Sequence, residues 1–134
     1  MKALTVRQPW AWLIVVGLKA VENRNWSCYY RGQLLIHAAK GCTFDEWCQA
    51  WDWIDDRFPH IRRIYPTPTY TSIPRGGIVG QVDMIGCVDD ADNVDKHYFC
   101  AWAEPGQYHH LYANSLPLPF RACKGALGLW ECHP

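Results

Sequence analysis

The chain is 134 residues long, 49% hydrophobic and 19% charged, with thirteen Lys and Arg side chains balancing thirteen Asp and Glu. This composition excludes a disordered or low-complexity chain, and no apolar run nears the ~20 residues that a membrane-spanning helix needs. The length fits one domain over residues 1–134 with a sizeable core.

In chain order, Ala3 to Val6 alternates as a strand. Pro9 suits the first position of a helix, where a missing N–H is harmless. Trp10, Leu13, Ile14 and Gly17 recur at helical spacing as one buried stripe, and Gly17 can end that helix in the left-handed conformation. The start of the helix, near Gln8, favours an anion. Ala20 to Trp26 reads as a second strand, fed by a turn carrying Lys19, with Glu22 and Arg24 on one face. Tyr30-Arg31-Gly32 is a turn, and Gln33 to Ala38 is a largely buried strand expected to lie beside residues 20–25. His37, alone on that apolar strand, reads first as a hydrogen-bonded core histidine.

Thr43-Phe44-Asp45-Glu46 is a capping box opening a second helix. Phe44, Trp47, Cys48, Trp51 and Phe58 form its apolar stripe, Asp45, Asp52, Asp55 and Asp56 face solvent, and Pro59 limits it. Residues 65–75 contain Pro66, Pro68 and Pro74 and read as a surface loop. In and before it, Arg62, Arg63, Tyr65, Tyr70 and Arg75 mix cations with rings, a composition that grips phosphate and stacks bases. Gly76 to Val88 is the longest strand signal, with Gly76, Gly77, Gly80 and Gly86 marking bends or bulges. Asp89 to Asp95 is an acidic loop without the glycine and terminal Glu of a calcium loop. Residues 97–102 form a short helix or strand. Gln107 to Ala113 alternates, placing His109 and Leu111 on one face and Tyr108, His110 and Tyr112 on the other. Leu116 to Phe120 is extended, and Gly128 to Cys132 is the last strand.

Charge is unevenly spread. Residues 1–40 hold Lys2, Arg7, Lys19, Arg24, Arg31 and Lys40 against Glu22 alone, whereas residues 41–60 are mainly acidic. A local basic patch is all that phosphate contact requires. The seven cysteines contain no C-x-x-C pair, which argues against a zinc ribbon. Reduced, mostly buried thiols in a cytoplasmic protein are expected. Met1-Lys2 leads straight into a strand pattern rather than a leader. No metal site and no cofactor are expected, and the P-loop, dinucleotide-glycine and G-x-S-x-G motifs are absent.

Leu4-Thr5-Val6-Arg7-Gln8-Pro9-Trp10-Ala11, then Gly17-x-Lys19-x-x-Glu22-x-Arg24, then Tyr30-Arg31-Gly32-x-Leu34-Leu35-Ile36-His37-Ala38 resemble the opening of an ASCH domain, of the PUA-like superfamily. Gly76 to Gly80, Pro105 to Tyr108, Pro117 to Pro119 and Gly125 to Trp130 resemble its later segments. The resemblance implies an α+β fold: a PUA-like β-pseudobarrel of about five to seven strands with flanking short helices, and a cleft beside the first helix. The role it implies is RNA or DNA binding.

Two functions follow as expectations. The first is a nucleic-acid binding domain for RNA or a single-stranded or modified nucleotide. In it Lys19, Arg24 and Arg31 hold phosphate, with Arg7 adding to the basic cleft, and Gln8 or Asn23 reads a base edge. Trp10, Trp26 or Tyr29 stacks an unpaired base, and Glu22 orients the cations or accepts a donor from the base. The alternative is a hydrolase, either a ribonuclease or a nucleoside amidohydrolase, as some ASCH proteins are. The amidohydrolase pattern resembles Lys19 and Arg24 but has a Thr nucleophile where this chain has Glu22. Catalysis here would rest on Lys19 stabilising negative charge and on Glu22 as a general base, its pKa raised by the cleft.

Overall fold

The computed structural model describes residues 1–89 and 101–133. The elements run β1 (Lys2–Val6), α1 (Trp10–Val15), β2 (Val21–Arg24), β3 (Gly32–Ala38), α2 (Phe44–Arg57), α3 (Ile61–Ile64), β4 (Gly77–Asp89), β5 (Tyr108–Ala122) and β6 (Leu129–Glu131). The six described strands make one sheet in the order β2-β5-β4-β3-β1-β6. Among them, only β1 and β3 run parallel, with Ala3 beside Leu35 and Val6 beside Ala38. The sheet curls enough to bring the edge strand β2 near β1, beyond the reach of its pairing with β6: Arg24 on β2 donates from Nη2 to the carbonyl of Thr5 on β1 at 2.9 Å. This is the α+β PUA-like pseudobarrel that the resemblance implied.

The expected neighbour of β3 needs correction. Residues 33–38 lie between β1 and β4, and β2 pairs instead with β5. Leu34 to Ala38 are buried in unbroken succession, which suits a central strand covered on both faces. The polar Val-Glu-Asn-Arg run suits an edge. The two extended stretches read at 107–113 and 116–120 are one strand, β5. Pro117 and Pro119 fit within it because β2 reaches only Tyr108 to Leu111, so beyond that the strand has β4 alone as neighbour. Register shifts near Gly80 and Gly86 bulge β4, as the glycines led us to expect.

The short helix α1 is the hub of the interior. Ala11, Ile14 and Val15 pack with Leu4, Val6, Ile36 and Met84 inside the curl. On its other side Leu13 joins Trp47, Trp51 and Ile54 of α2, together with Ile61 of α3 and Trp102. Pro9 stands just before α1 rather than filling its first position, and Gly17 follows its end at a φ of 86°. The Thr43–Glu46 capping box forms as read, with Glu46 N donating to Thr43 Oγ1 at 3.1 Å and Thr43 N to Glu46 Oε1 at 2.9 Å. Phe44 departs from the predicted stripe of α2 and is exposed, its ring edge against Tyr70. The expected faces of β5 hold, since Leu111 packs toward the α2 core and Tyr112 into the curl.

Residues 90–95 of the acidic loop and 97–100 of the following predicted element, including Cys100, lie outside the described residues. The six described cysteines are free thiols. No helix among the described residues is long and apolar enough to cross a membrane. No group of three or more His, Cys, Asp or Glu side chains among them is placed to hold a metal ion.

Candidate functional site

A cleft of about 570 Å³ opens where β1, α1 and β2 converge. That size lies within the roughly 300–1,000 Å³ of ordinary small-ligand sites. Its floor is a charged triad. Lys19 follows the left-handed turn at Gly17, and its Nζ turns back to the Val21 carbonyl and to Glu22 Oε1 at 2.9 Å. Glu22 presents its other oxygen to Arg24, accepting from Nε at 3.1 Å. The period-two placement of Glu22 and Arg24 on one face therefore yields a bonded pair. Lys19 and Glu22 are both buried, and Arg24 keeps about a quarter of its side chain exposed (24%).

Burial alone would raise the Glu22 carboxyl, but the charges and hydrogen bonds of Lys19 and Arg24 outweigh it and hold the group below the usual carboxylate range. Glu22 is thus an ionised acceptor with both oxygens engaged. The Lys19 ammonium also lies 5.7 Å from the centre of the Trp10 ring, a cation–π contact.

One wall of the cleft is aromatic. Trp10 meets the edge of Trp53 at 5.6 Å, and Trp53 stacks on Trp102 at 6.0 Å with planes 26° apart. Trp102 is held in turn by Phe58, 3.9 Å away, and by its Nε1 donating to the Leu18 carbonyl at 3.1 Å. Asn23 ties this wall to β2: its Nδ2 donates to the Trp102 carbonyl, and its Oδ1 accepts from the Glu104 N–H at 3.0 Å and lies 2.8 Å from His109 Nδ1. The opposite rim is the segment Ala126-Leu127-Gly128, in which Leu127 is 98% exposed.

The predicted site residues divide into two groups. Arg7, Trp10, Lys19, Glu22 and Arg24 line the cleft. Arg7 stands at the rim in an ion pair with Glu46 of α2. Gln8, Trp26 and Arg31 do not line it. Gln8 is 3% exposed and knits the core, its Oε1 accepting from Trp12 N and its Nε2 donating to the Pro74 carbonyl, both at 2.9 Å. It thereby occupies the start of α1 that the sequence offers as an anion site. Trp26 packs edge-on against His110 at 4.7 Å, and Arg31 donates to the carbonyls of Cys28 and Tyr30. His37 is a bonded, buried histidine, between Thr5 Oγ1 at 3.3 Å and the Cys123 carbonyl at 2.7 Å. Arg62 on α3 pairs with Asp55, and Arg75 at the end of the loop lies 4.7 Å over Tyr70, so neither reaches the cleft.

Sequence reasoning missed Trp53 and Trp102. A signal for Trp53 existed: the buried stripe of α2 is Trp47, Ala50, Trp51 and Ile54, and Trp53 lies off it. A large ring off the packed stripe has a second surface to cover.

Comparison with known proteins adds three findings. The sequence matches the model of the ASCH domain family over residues 4–120. Human activating signal cointegrator 1 is 35% identical over 86 residues, which are 63% of this chain and 14% of that protein. The chain thus matches only a small part of that relative's length. Among solved structures, ASCH from Zymomonas mobilis aligns over 90% of this chain and 72% of its own, with a TM-score of 0.54 and 13% identity. A point mutant of that same bacterial protein aligns over 90% and 74%, with the same TM-score and identity. These likenesses extend to the fold.

Proposed function

The chain belongs to the ASCH domain family, a PUA-like family associated with RNA binding, and from that premise we propose that its cleft receives one unpaired nucleotide of a single-stranded nucleic acid, RNA in the first instance. The observation that carries the reading is the pairing, in one hollow, of a tryptophan wall with a hydrogen-bonding charged floor. A nucleobase has the same two characters, a flat π face and a polar edge. Stacking of a base on an aromatic ring contributes about 1–3 kcal/mol per base. Arg24, the most exposed cation of the triad, offers N–H donors to a base oxygen or a phosphate. Glu22 fixes the Arg24 fork in place, and Lys19 supplies potential from below rather than direct contact, since its ammonium is committed to Val21 and Glu22.

Within the cleft, Arg7, Lys19 and Arg24 face Glu22 and Glu104, so positive and negative groups nearly cancel. Such balance suits selection of one base by shape and hydrogen bonding over grip on a polyanion by charge alone. The hydrolase alternative draws less support. A carboxylate held below its ordinary pKa, with both oxygens taken by cations, is a poor base toward water.

The test is a titration of intrinsic tryptophan fluorescence with a single-stranded RNA octamer at low salt. Saturable quenching, weakened severalfold by Arg24→Ala, is expected. An unresponsive wild type, or an Arg24→Ala protein binding as tightly, would overturn the reading.

A further inference from the structure

A second hollow, of about 900 Å³, lies on the other side of the 122–128 segment. It shares Thr5, Ala39, Ala126 and Leu127 with the cleft, so the two are contiguous. Their chemistry differs sharply. The cleft has three tryptophans and nearly balanced charge. The walls of the second hollow are largely apolar, from Ala39, Ala122, Cys123 and Leu127, and its charged groups are the cations Lys40, Arg75 and Lys124, with no Trp, Tyr or Phe and no carboxylate among the described residues. Lys40 and Lys124 are exposed and make no ion pair among those residues, while Arg75 is anchored by donating to the Cys42 carbonyl at 3.2 Å. Surface cations left together without acidic partners are unfavourable to one another. An anion with several charges relieves that repulsion.

The seam between the hollows is tightly bonded at Thr5. Thr5 belongs to both: its carbonyl accepts from Arg24 of the cleft, and its Oγ1 meets His37 on the other side and accepts from Trp130 Nε1 at 3.2 Å. Gly125 passes so close to this pair that a Cβ on it would lie 2.6 Å from Thr5 Oγ1 and 2.7 Å from the His37 ring.

We infer that the second hollow is a phosphate subsite, which holds the sugar-phosphate backbone of the strand whose base enters the cleft. The ligand is then an oligonucleotide and not a free nucleoside: the base is read on the tryptophan side, and the phosphates next to it are held by Lys40, Arg75 and Lys124. The inference rests on the reading of the cleft given above and names the ligand class for it. Lys40 and Lys124 act as point charges on phosphate oxygens, so their contribution is insensitive to sequence and sensitive to salt.

The experiment compares the wild type with a Lys40→Ala/Lys124→Ala double variant, using a single-stranded RNA octamer and, separately, the four ribonucleosides. Both lysines are exposed, and the variant should fold as the wild type does. The octamer is expected to bind the double variant about tenfold more weakly at low salt, and the slope of log affinity against log salt should fall by about 1.4, from ~0.7 per phosphate contact on a single strand. Nucleoside binding should not change. If octamer affinity and slope match the wild type, the second hollow is not a phosphate subsite, while the cleft reading stands. A wild type that binds the nucleosides as tightly as the octamer overturns the inference in the same way. Failure of the wild type to bind either probe removes the cleft reading and, with it, this one.

Discussion

Lys19 Nζ and Glu22 Oε1 meet at 2.9 Å, three residues apart, with both side chains buried. Removing Glu22 leaves the buried Lys19 ammonium without a counter-charge, whereas removing Lys19 leaves Glu22 with Arg24 alone. Breaking a buried pair this way typically costs about 3–5 kcal/mol, more than the pair itself contributes. Glu22→Gln should therefore lower stability substantially, because it strands Lys19 and loosens Arg24. Urea unfolding followed by tryptophan fluorescence measures it. A midpoint equal to the wild type would mean that the triad is not a folding element. The same reasoning makes Lys19→Ala a poor test of ligand contact, and Arg24→Ala the better one.

Acid stability should fall in two steps. Burial pushes the His110 imidazole below its ordinary value, so the unfolded chain takes up a proton first as pH drops through about 6.5, and stability declines from there. The lowered Glu22 carboxyl contributes stability above the unfolded value of about 4.3, and that part is lost as pH falls through the folded one. Urea midpoints from neutral pH downward should show both limbs in the wild type. In Glu22→Gln the lower limb should be shallower, while the upper should still begin near the unfolded histidine value of about 6.5 and be no smaller, since Glu22 favours the charged His110. Parallel curves throughout would contradict this assignment.

Tyr112→Phe should leave stability unchanged or raise it. The Tyr112 hydroxyl is buried and has no hydrogen-bond partner among the described residues, and an unsatisfied buried polar group costs about 1–3 kcal/mol. The ring itself packs in the interior of the curl and is retained by Phe. A clear drop in thermal midpoint would reveal a bond that the hydroxyl makes.

Much of this fold was legible in the sequence because local signals agreed with tertiary demands. The capping box at Thr43, the turn at Gly17 and the glycine-marked bulges of β4 all needed only nearby residues. Strand pairing was less legible. Whether residues 33–38 adjoin β1 or β2 depends on which strand can tolerate an edge, and that is a property of the whole sheet. The site shows the same division. Lys19, Glu22 and Arg24 are close in sequence and were found together. Trp53 and Trp102 come from distant segments, and although Trp53 stands off the packed stripe of α2, its neighbours do not name Trp102 as the ring it stacks on at 6.0 Å. Gln8 misled because a polar residue at a helix start reads equally as a ligand-binding group or as an internal cap, and here its amide is the cap.

Gly125→Ala should be destabilising by about 1–3 kcal/mol, the range for overpacking a filled site. The added methyl would press on Thr5 Oγ1 and the His37 ring, neither of which can withdraw without losing hydrogen bonds. Thermal unfolding checks it. Wild-type stability would show that the 122–128 segment yields freely.

Trp53→Leu should weaken binding of the single-stranded RNA octamer, but by less than the about 1–3 kcal/mol of a base stacked on a free ring, because Trp102 and the Arg57 guanidinium, 4.1 Å from the ring centre, already lie against Trp53. Trp53 is only partly buried, so its loss should spare the fold more than truncation of the fully packed Trp51 would. Isothermal titration of both variants and their thermal midpoints separate the two effects. Undiminished affinity in Trp53→Leu would remove the aromatic wall from the binding account.

The most direct measurement is an NMR titration of the labelled protein with a single-stranded RNA octamer at low salt, following backbone amides, tryptophan indole N–H groups and arginine Nε–H groups together. The account predicts that the largest shifts fall on the Trp10 and Trp53 indoles, Arg24 Nε–H and the Leu127–Gly128 amides, all of which border the cleft. Shifts confined to Arg62 and Arg63 on α3 or to the outer face of β5, with the Trp53 and Arg24 signals unmoved at saturation, would contradict it.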